Sequence, residues 1–197
     1  HSVNEIIEGD TIEIKINIDE NEKILVERIN ILGNTITDES VIRGELLLDE
    51  GDPYNALKLD QSLANIKSRN IFGEVKKVVT EGSEVDLKTI DITVEEKPTG
   101  EISAGAGVGT NGGNVSFQIS ENNWLGRGIR VSSFLDAGQN SVRGKINVTQ
   151  PNYNYTGNSL NYNVSSTKTD AKDTSGYKNN LINFGIGTSF EQYRNVF

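Results

Sequence analysis

The apolar positions in the first half of the chain follow two different periods. Every second residue is apolar over residues 12–18 and 90–94, which predicts half-buried strands. Residues 75–79 are expected to form another strand, which a turn connects to the strand at residues 90–94. A β-branched run over residues 24–31 predicts one further strand, which ends at a Gly-Asn pair that favours a turn. The two segments in between have apolar residues at the spacing of a helix face.

Each of the two predicted helices has its own start signal. Thr37 is the expected N-cap of the first helix, which should end near residues 49–51. The second should begin after Asn55. Its apolar stripe consists of Ala56, Leu59, Leu63 and Ile66. Residues 24–97 thus have the order strand, helix, helix, strand, strand, and a three-stranded sheet with both helices on one face buries these stripes most simply.

From residue 101 onward the alternation continues with no helical spacing. Six segments of about ten residues with period-two alternation are each closed by a cluster of Gly, Asn or Asp. The alternating positions within them lie at residues 102–109, 115–120, 129–135, 142–149, 160–165 and 182–190. Consecutive strands joined by short turns predict a six-stranded antiparallel meander.

Two kinds of sheet share this alternation. Transmembrane strands need about 9–11 residues, with one face toward lipid and aromatic residues near both interfaces. The segments fit this length, and four aromatic residues fall at predicted strand ends, namely Trp124, Tyr153, Tyr155 and Tyr193. In a soluble β-sandwich the same residues would pack beside turns, so the pattern alone leaves both structures open. Six strands cannot close a lipid-bounded barrel, so a barrel would need further strands.

Charge and glycine divide the 197 residues into the same two halves. Residues 1–99 hold 22 acidic and 11 basic side chains, whereas residues 100–197 hold 6 and 8, together with 14 of the 20 glycines. The change falls at Glu95-Glu96-Lys97-Pro98-Thr99-Gly100, where proline removes a ladder donor and glycine permits a change of direction. A domain boundary is therefore predicted there, between residues 21–98 and residues 99–197.

Composition excludes several classes of function. The net charge of −9 opposes binding to a phosphate backbone, so no nucleic-acid partner is expected. The chain has no cysteine, and its one histidine is residue 1. No thiolate, internal histidine dyad or set of paired carboxylates is available, and we predict no catalytic residue, no cofactor and no metal site. An enzyme is accordingly the least favoured class.

Several short motifs together resemble one family. They are Gly33-Asn34, Glu50-Gly51, Ile71-Phe72, the segment Glu96–Gly100, and the runs ISENNWLGRG and VTQPNY. In this combination the chain resembles the proteins that join POTRA (polypeptide-transport-associated) domains to a transmembrane β-barrel and assemble outer-membrane proteins. The resemblance implies an α+β POTRA domain followed by the N-terminal part of an antiparallel barrel, with residues 1–20 ending a preceding POTRA repeat.

The resemblance also implies a function. Proteins of this family lie in the bacterial outer membrane, with their POTRA part in the periplasm, where they bind unfolded β-barrel precursors and fold them into the bilayer. The first barrel strand is then a lateral gate that offers its backbone to an incoming strand. Its candidate residues are Gly100, Ile102, Ala104, Ala106 and Val108. The alternative is that the intervening glycines only relieve crowding or permit curvature.

Two further groups of residues are candidates for partner contacts. Val75, Lys77 and Val79 are expected on a POTRA edge strand that could add a strand from another chain, or that is merely an edge guarded by lysines. Arg43 and Glu50 match positions at which the family meets periplasmic lipoproteins of the assembly complex, although ordinary helix-surface charges would look the same.

Two other functions remain open at this stage. One is a related POTRA-barrel pore that secretes a single partner protein. The other is a soluble periplasmic adaptor, in which a β-sandwich follows the interaction module. A requirement for detergent separates the adaptor from both membrane proteins, because a sandwich with its own interior stays soluble without it.

Overall fold

The computed structural model describes residues 2–8, 11–17, 23–109 and 112–190. Tyr193, one of the aromatic residues predicted at strand ends, lies outside these residues. At the start of the chain, β1 (Ser2–Glu8) and β2 (Thr11–Asn17) pair antiparallel in a sheet of their own. The sequence predicts only β2, so the single strand expected here is corrected to a hairpin.

Residues 25–96 form an α+β domain. Its elements are β3 (Leu25–Leu32), α1 (Glu39–Arg43), α2 (Ala56–Ser68), β4 (Phe72–Glu81) and β5 (Leu87–Glu96). The sheet order is β3-β5-β4, with β3 parallel and β4 antiparallel to the central strand. The predicted order of strand, helix, helix, strand, strand is confirmed.

The core of this domain lies between one sheet face and the helices. Ile29, Ile90 and Val79 stand side by side in the register of the three strands. Helix α2 covers them with three of its four predicted apolar residues, Leu59, Leu63 and Ile66, whereas Ala56 is exposed. Each such buried aliphatic side chain contributes about 1.5–3 kcal/mol by leaving water. No helix among the described residues has the length and apolar character needed to span a membrane.

Helix α1 is shorter than the sequence predicts. Its N-cap is Asp38 rather than Thr37, and it ends at Arg43 instead of continuing to residues 49–51. The following segment pairs with β3 instead, because the Gly51 N–H donates to the Val26 carbonyl (2.7 Å) and the Tyr54 N–H to the Ile24 carbonyl (2.8 Å). Tertiary pairing therefore takes precedence over local helix propensity here.

Residues 100–189 form six consecutive antiparallel strands. They are β6 (Gly100–Gly109), β7 (Gly112–Trp124), β8 (Ile129–Gly138), β9 (Ser141–Gln150), β10 (Ser159–Ala171) and β11 (Tyr177–Ser189). A four-residue helix, α3 (Lys172–Ser175), joins the last two. The spatial order equals the chain order, which confirms the predicted meander. The described strands form an open sheet with β6 at one edge.

Candidate functional site

The six-stranded sheet sorts its side chains into an apolar and a polar face. Cross-strand partners place Ala106, Val115 and Ala137 in one row, and Ile146, Val164 and Phe184 in another row of the same face. The row between them contains Phe117 and Leu135. Many of these residues are exposed, with Phe184 at 79% and Phe117 at 44%. The result is a mainly apolar surface that crosses all six strands, with Ser133 and Ser166 among its few polar residues.

The opposite face carries mainly hydroxyl and amide side chains, which bond one another across the strands. Asn147 donates to Ser132 (3.2 Å), and Thr149 donates to Asn161 (2.8 Å). Along β10 the residues of this polar face are half-buried, whereas those of the apolar face are exposed from Tyr162 onward. This difference is expected when a sheet curves toward its polar side. Curvature with apolar residues outside is the arrangement of a barrel that faces lipid.

Strand β6 has one open edge, because it pairs only with β7 among the described residues. The Asn122 N–H donates to the Thr99 carbonyl (3.3 Å). In an antiparallel pair, successive residues point their backbone N–H and C=O groups alternately toward the partner strand and away from it, and this bond fixes which residues do which. The backbone groups that point to the free edge therefore belong to Gly100, Ile102, Ala104, Ala106 and Val108. These are the five residues predicted for the lateral gate, and the side chains of the last four lie on the apolar face.

Gly105, Gly107 and Gly109 of β6 face the polar side and have unequal surroundings. A Cβ at Gly107 would lie 2.8 Å from Asn114 Oδ1, and one at Gly105 would lie 3.1 Å from Ser116 Oγ. At Gly109 a Cβ would meet nothing within 4 Å. A Cβ at the first two positions would therefore displace the end of a neighbouring side chain, whereas a Cβ at Gly109 would meet open space.

In the α+β domain, β4 has the more open of the two sheet edges. The Gly82 N–H donates to the Leu87 carbonyl (2.8 Å), so alternation turns the backbone groups of Val75, Lys77 and Val79 toward the free edge. The side chain of Val75 is buried and those of Lys77 and Val79 are half-buried. The three predicted edge residues thus share one strand, and their open groups are backbone atoms.

The edge of β3 is largely closed, and Arg43 and Glu50 help to close it. Arg43 Nη2 donates to the Ile29 carbonyl (2.9 Å), and Glu50 Oε1 accepts from the Ile29 N–H (3.0 Å). The two side chains lie 3.9 Å apart (Nη1 to Oε1) and remain 39% and 47% exposed. The structure brings this predicted pair together at the edge of β3, away from the open edges of β4 and β6.

A junction between the α+β domain and the sheet is formed by the turn between β7 and β8. Asn123 Nδ2 donates to Thr37 Oγ1 (2.9 Å), and Asn123 Oδ1 accepts from the Gly128 N–H (2.7 Å). The Asp38 N–H donates to the Gly126 carbonyl (2.8 Å). Gly126 has a φ of +74°, and a Cβ there would lie 2.1 Å from the Ile36 carbonyl oxygen, so the close approach requires glycine.

A buried ion pair supports the same junction. Arg69 Nη1 lies 3.4 Å from Glu45 Oε1, and the two side chains are 8% and 15% exposed. Arg69 Nη2 also donates to the Gly128 carbonyl (2.9 Å). Burial raises the pKa of Glu45 and lowers the pKa of Arg69, in each case against the attraction of its partner. Removing one partner would leave the other charge buried and unpaired, which destabilises the folded state strongly.

The turn between β9 and β10 makes a second contact with the α+β domain. Asn152 Nδ2 donates to the Gly44 carbonyl (2.6 Å), directly after helix α1. The ring of Tyr155 lies against Gly44, where an added Cβ would come within 2.7 Å of Cδ1. Both turns at this end of the sheet therefore dock on the segment around α1.

Glu96 holds the loop that precedes α1. Its carboxylate accepts hydrogen bonds from the Thr35 N–H and hydroxyl and from the N–H groups of Ile36 and Thr37. Desolvation raises the pKa of Glu96, but these hydrogen bonds outweigh it and lower the pKa to about 2. Neither Glu96 nor the junction residues Asn123, Arg69 and Glu45 were predicted as functional, because their partners lie far away in sequence.

The described residues contain no group of three or more His, Cys, Asp or Glu side chains placed to hold a metal ion. Of the aromatic residues predicted at strand ends, Trp124 ends β7, and Tyr153 and Tyr155 lie in the turn between β9 and β10. All three are at least 46% exposed. The site is therefore a set of strand edges and docking turns.

Comparison with known proteins agrees with this geometry. Residues 24–97 match the POTRA family model, described as a surface antigen variable number repeat. The outer membrane protein assembly factor BamA of Buchnera aphidicola is 27% identical over 94% of this chain and 33% of its own length. BamA of Neisseria meningitidis serogroup B is 28% identical over 92% of this chain and 24% of its own length. The chain thus spans about a quarter to a third of these relatives.

Solved structures show the same fold. BamA from Haemophilus ducreyi lacking POTRA domains 1–3 aligns with a TM-score of 0.72 and 21% identity, over 92% of this chain and 35% of that one. CdiB from Escherichia coli aligns with a TM-score of 0.62 and 16% identity, over 88% of this chain and 34% of that one.

These matches define the class as a POTRA domain followed by the opening strands of a β-barrel. Within that class, the chain is similar in sequence and in fold to BamA proteins, over one POTRA domain and the six strands that follow it.

Proposed function

We propose that this chain is the part of an outer-membrane protein assembly factor in which the periplasmic POTRA domain meets the barrel. It receives unfolded β-barrel precursors and templates their strands at the edge of β6, with no covalent chemistry, nucleotide or cofactor. The observation that carries the proposal is the apolar face of six strands, which leads to an edge whose backbone is open.

The apolar face supports a location in a membrane. A soluble sandwich would bury such a face under a second sheet, and no layer covers it within residues 100–109 and 112–190. Exposed apolar patches of this extent mark membrane or protein contacts. The soluble-adaptor alternative therefore has less support than insertion in the bacterial outer membrane, with the POTRA domain in the periplasm.

Strand templating follows from the chemistry of the bilayer. Every backbone N–H and C=O that enters hydrocarbon must be paired, so a precursor strand gains stability by adding to an existing edge. In β6 the side chains beside the edge groups include Ala104 and Ala106, and the next positions are glycines. Small side chains form few packing contacts across the edge, so a partner strand there can be exchanged.

The POTRA domain offers two contacts of different chemistry. The open backbone of β4 can pair with an extended precursor segment, with little demand on its side chains. Arg43 and Glu50 present charged groups for a periplasmic lipoprotein of the assembly complex. Because the same two groups cap Ile29, a partner that takes them over would also loosen the edge of β3.

A second candidate is a POTRA-barrel pore that secretes a single partner protein. The likeness to CdiB supports this class as well as the first. The BamA relatives match more closely in sequence, and they favour assembly of many precursors over transport of one.

Cross-linking tests the proposed gate. Ala106→Cys introduces one thiol into a chain without cysteine, beside the open backbone of β6. A precursor with cysteines along its strands should form disulfides with this position while it is being assembled. Ile146→Cys is the matched control, because it lies on the same apolar face but in the interior strand β9.

The expected result is a precursor adduct at Ala106 and none at Ile146. Equal adducts at both positions, or no adduct at Ala104, Ala106 and Val108 while assembly proceeds, would overturn strand templating at β6.

A further inference from the structure

A cavity of about 440 Å³ opens at the junction between the POTRA domain and the sheet. Its walls come from the start of α1, from the turn after β7 and from the turn after β9. Cavities of this size hold small ligands or the polar part of a larger one. No role in strand templating has been assigned to it.

The cavity lies at the end of the apolar face. Ile129 and Gln150 line the cavity. Each lies two positions along its strand from a residue of the apolar face, Val131 in β8 and Val148 in β9. Trp124 pairs with Ile129 in the register, and Tyr153 lines the cavity from the second turn. If the apolar face contacts lipid chains, the cavity lies at the level of the periplasmic headgroups.

Two opposite charges line this cavity without neutralising each other. Among the described residues, neither Arg127 nor Asp38 has an oppositely charged atom within 4.0 Å. Asp38 also makes no side-chain cap to α1. Glu45 and Arg69, which line the inner wall, are already paired with each other. One cation and one anion are therefore available to a ligand.

We propose that this cavity binds the headgroup of a phospholipid that carries a phosphate and a primary ammonium, from the periplasmic leaflet. The inference rests on the proposed location in the membrane. The Arg127 guanidinium binds the phosphate in its planar fork, and the Asp38 carboxylate accepts hydrogen bonds from the ammonium. The acyl chains run along Ile129 and Val131. A choline headgroup has no N–H to donate to Asp38 and binds more weakly.

Quenching of Trp124 tests the site, because it is the single tryptophan and pairs with a wall residue of the cavity. The chain is inserted into phosphatidylcholine vesicles that contain a minor fraction of brominated phosphatidylethanolamine, or the same fraction of brominated phosphatidylcholine. We expect quenching by the ethanolamine lipid to correspond to a local enrichment of about tenfold or more, as one charge-assisted hydrogen bond supports.

The variants Arg127→Gln and Asp38→Asn should each abolish this enrichment. Arg143→Gln is the control, because Arg143 lies on the polar face and away from the cavity. Equal quenching by the two lipids in the unmodified chain, or enrichment that survives both variants, overturns the headgroup site while leaving the membrane location intact. No quenching by either lipid overturns the membrane location itself and the headgroup site with it.

Discussion

Single side chains order the loop before α1. Glu96 gathers four donors from Thr35, Ile36 and Thr37 and so fixes the backbone that then meets the turn between β7 and β8. Hydrogen bonds to a charged acceptor are stronger than neutral ones. One carboxylate therefore determines the position of several backbone groups at the junction.

Glu96→Gln tests this role. The variant keeps the size of the side chain and loses the charge, so we expect unfolding to become easier by roughly 1–3 kcal/mol. Urea denaturation of the chain in detergent micelles, followed by circular dichroism, measures the change. Glu95→Gln is the control, because Glu95 is exposed and makes no side-chain hydrogen bond among the described residues. Equal effects of the two substitutions would contradict the account.

The same carboxylate predicts a pH dependence. Its pKa is about 2 in the folded chain against 4.5 ordinarily, so the folded state favours the charged form. The contribution of Glu96 to the free energy of unfolding is present above pH 4.5 and is lost as the pH falls toward about 2. Glu96→Gln should therefore lose stability less steeply than the unmodified chain across this window. Parallel slopes in urea titrations at several pH values would refute the assignment.

At the scale of elements, α2 forms as its sequence predicts, whereas α1 does not. The stripe on α2 is regular and Asn55 caps it, with its side chain accepting from the Lys58 N–H (3.0 Å). The residues after Arg43 are equally apolar, but they pair with β3 and α2 instead of extending a helix. Ser62 Oγ, for example, accepts from the Leu47 N–H (2.8 Å).

Helix α2 also provides a matched pair for a core test. Ile66 is fully buried, while Leu57 on the same helix is 67% exposed. We expect Ile66→Ala to cost about 2–5 kcal/mol through lost burial and a cavity. Leu57→Ala should change the free energy of unfolding by no more than about 0.5 kcal/mol. Thermal unfolding of the two variants measures these losses. Similar losses of stability in Ile66→Ala and Leu57→Ala would contradict the packing described.

The turn between β7 and β8 is one of the two turns that join the halves. We expect Asn123→Ala to loosen it, because the substitution removes the bonds to Thr37 and Gly128 inside a buried contact. Trp124 lies next to the substitution, so its fluorescence anisotropy should fall. Asn114→Ala, at the far end of the same strand, is the control. An unchanged anisotropy in Asn123→Ala would show that this asparagine does not hold the junction.

The sequence predicts the strands and α2 because their signals are local. Periodicity and turn residues place each element within a few positions, and ladder alternation then turns the predicted gate residues toward the free edge. The junction gives no such signal, since Asn123 bonds a residue 86 positions away and Asn152 one 108 positions away. Such pairs become visible only once the fold brings them together.

At the scale of the whole molecule, an acidic α+β domain with its own core is docked on a sheet that has no covered apolar interior within the described residues. The two halves need different solvents, because the first buries its hydrophobic residues and the second exposes them. The contacts at Thr37, Arg69 and Gly44 hold these halves together at one end of the sheet. A membrane beside the periplasm provides both environments at that boundary.

Spin-label accessibility along β10 tests this claim most directly. Labels are attached one at a time to cysteines at Tyr162, Val164 and Ser166 on the apolar face, and at Asn163, Ser165 and Thr167 on the polar face. In lipid vesicles, we expect the first set to be relaxed mainly by oxygen, which concentrates in hydrocarbon, and the second mainly by a water-soluble nickel chelate. Equal exposure of both sets to the nickel chelate would contradict a lipid-facing sheet.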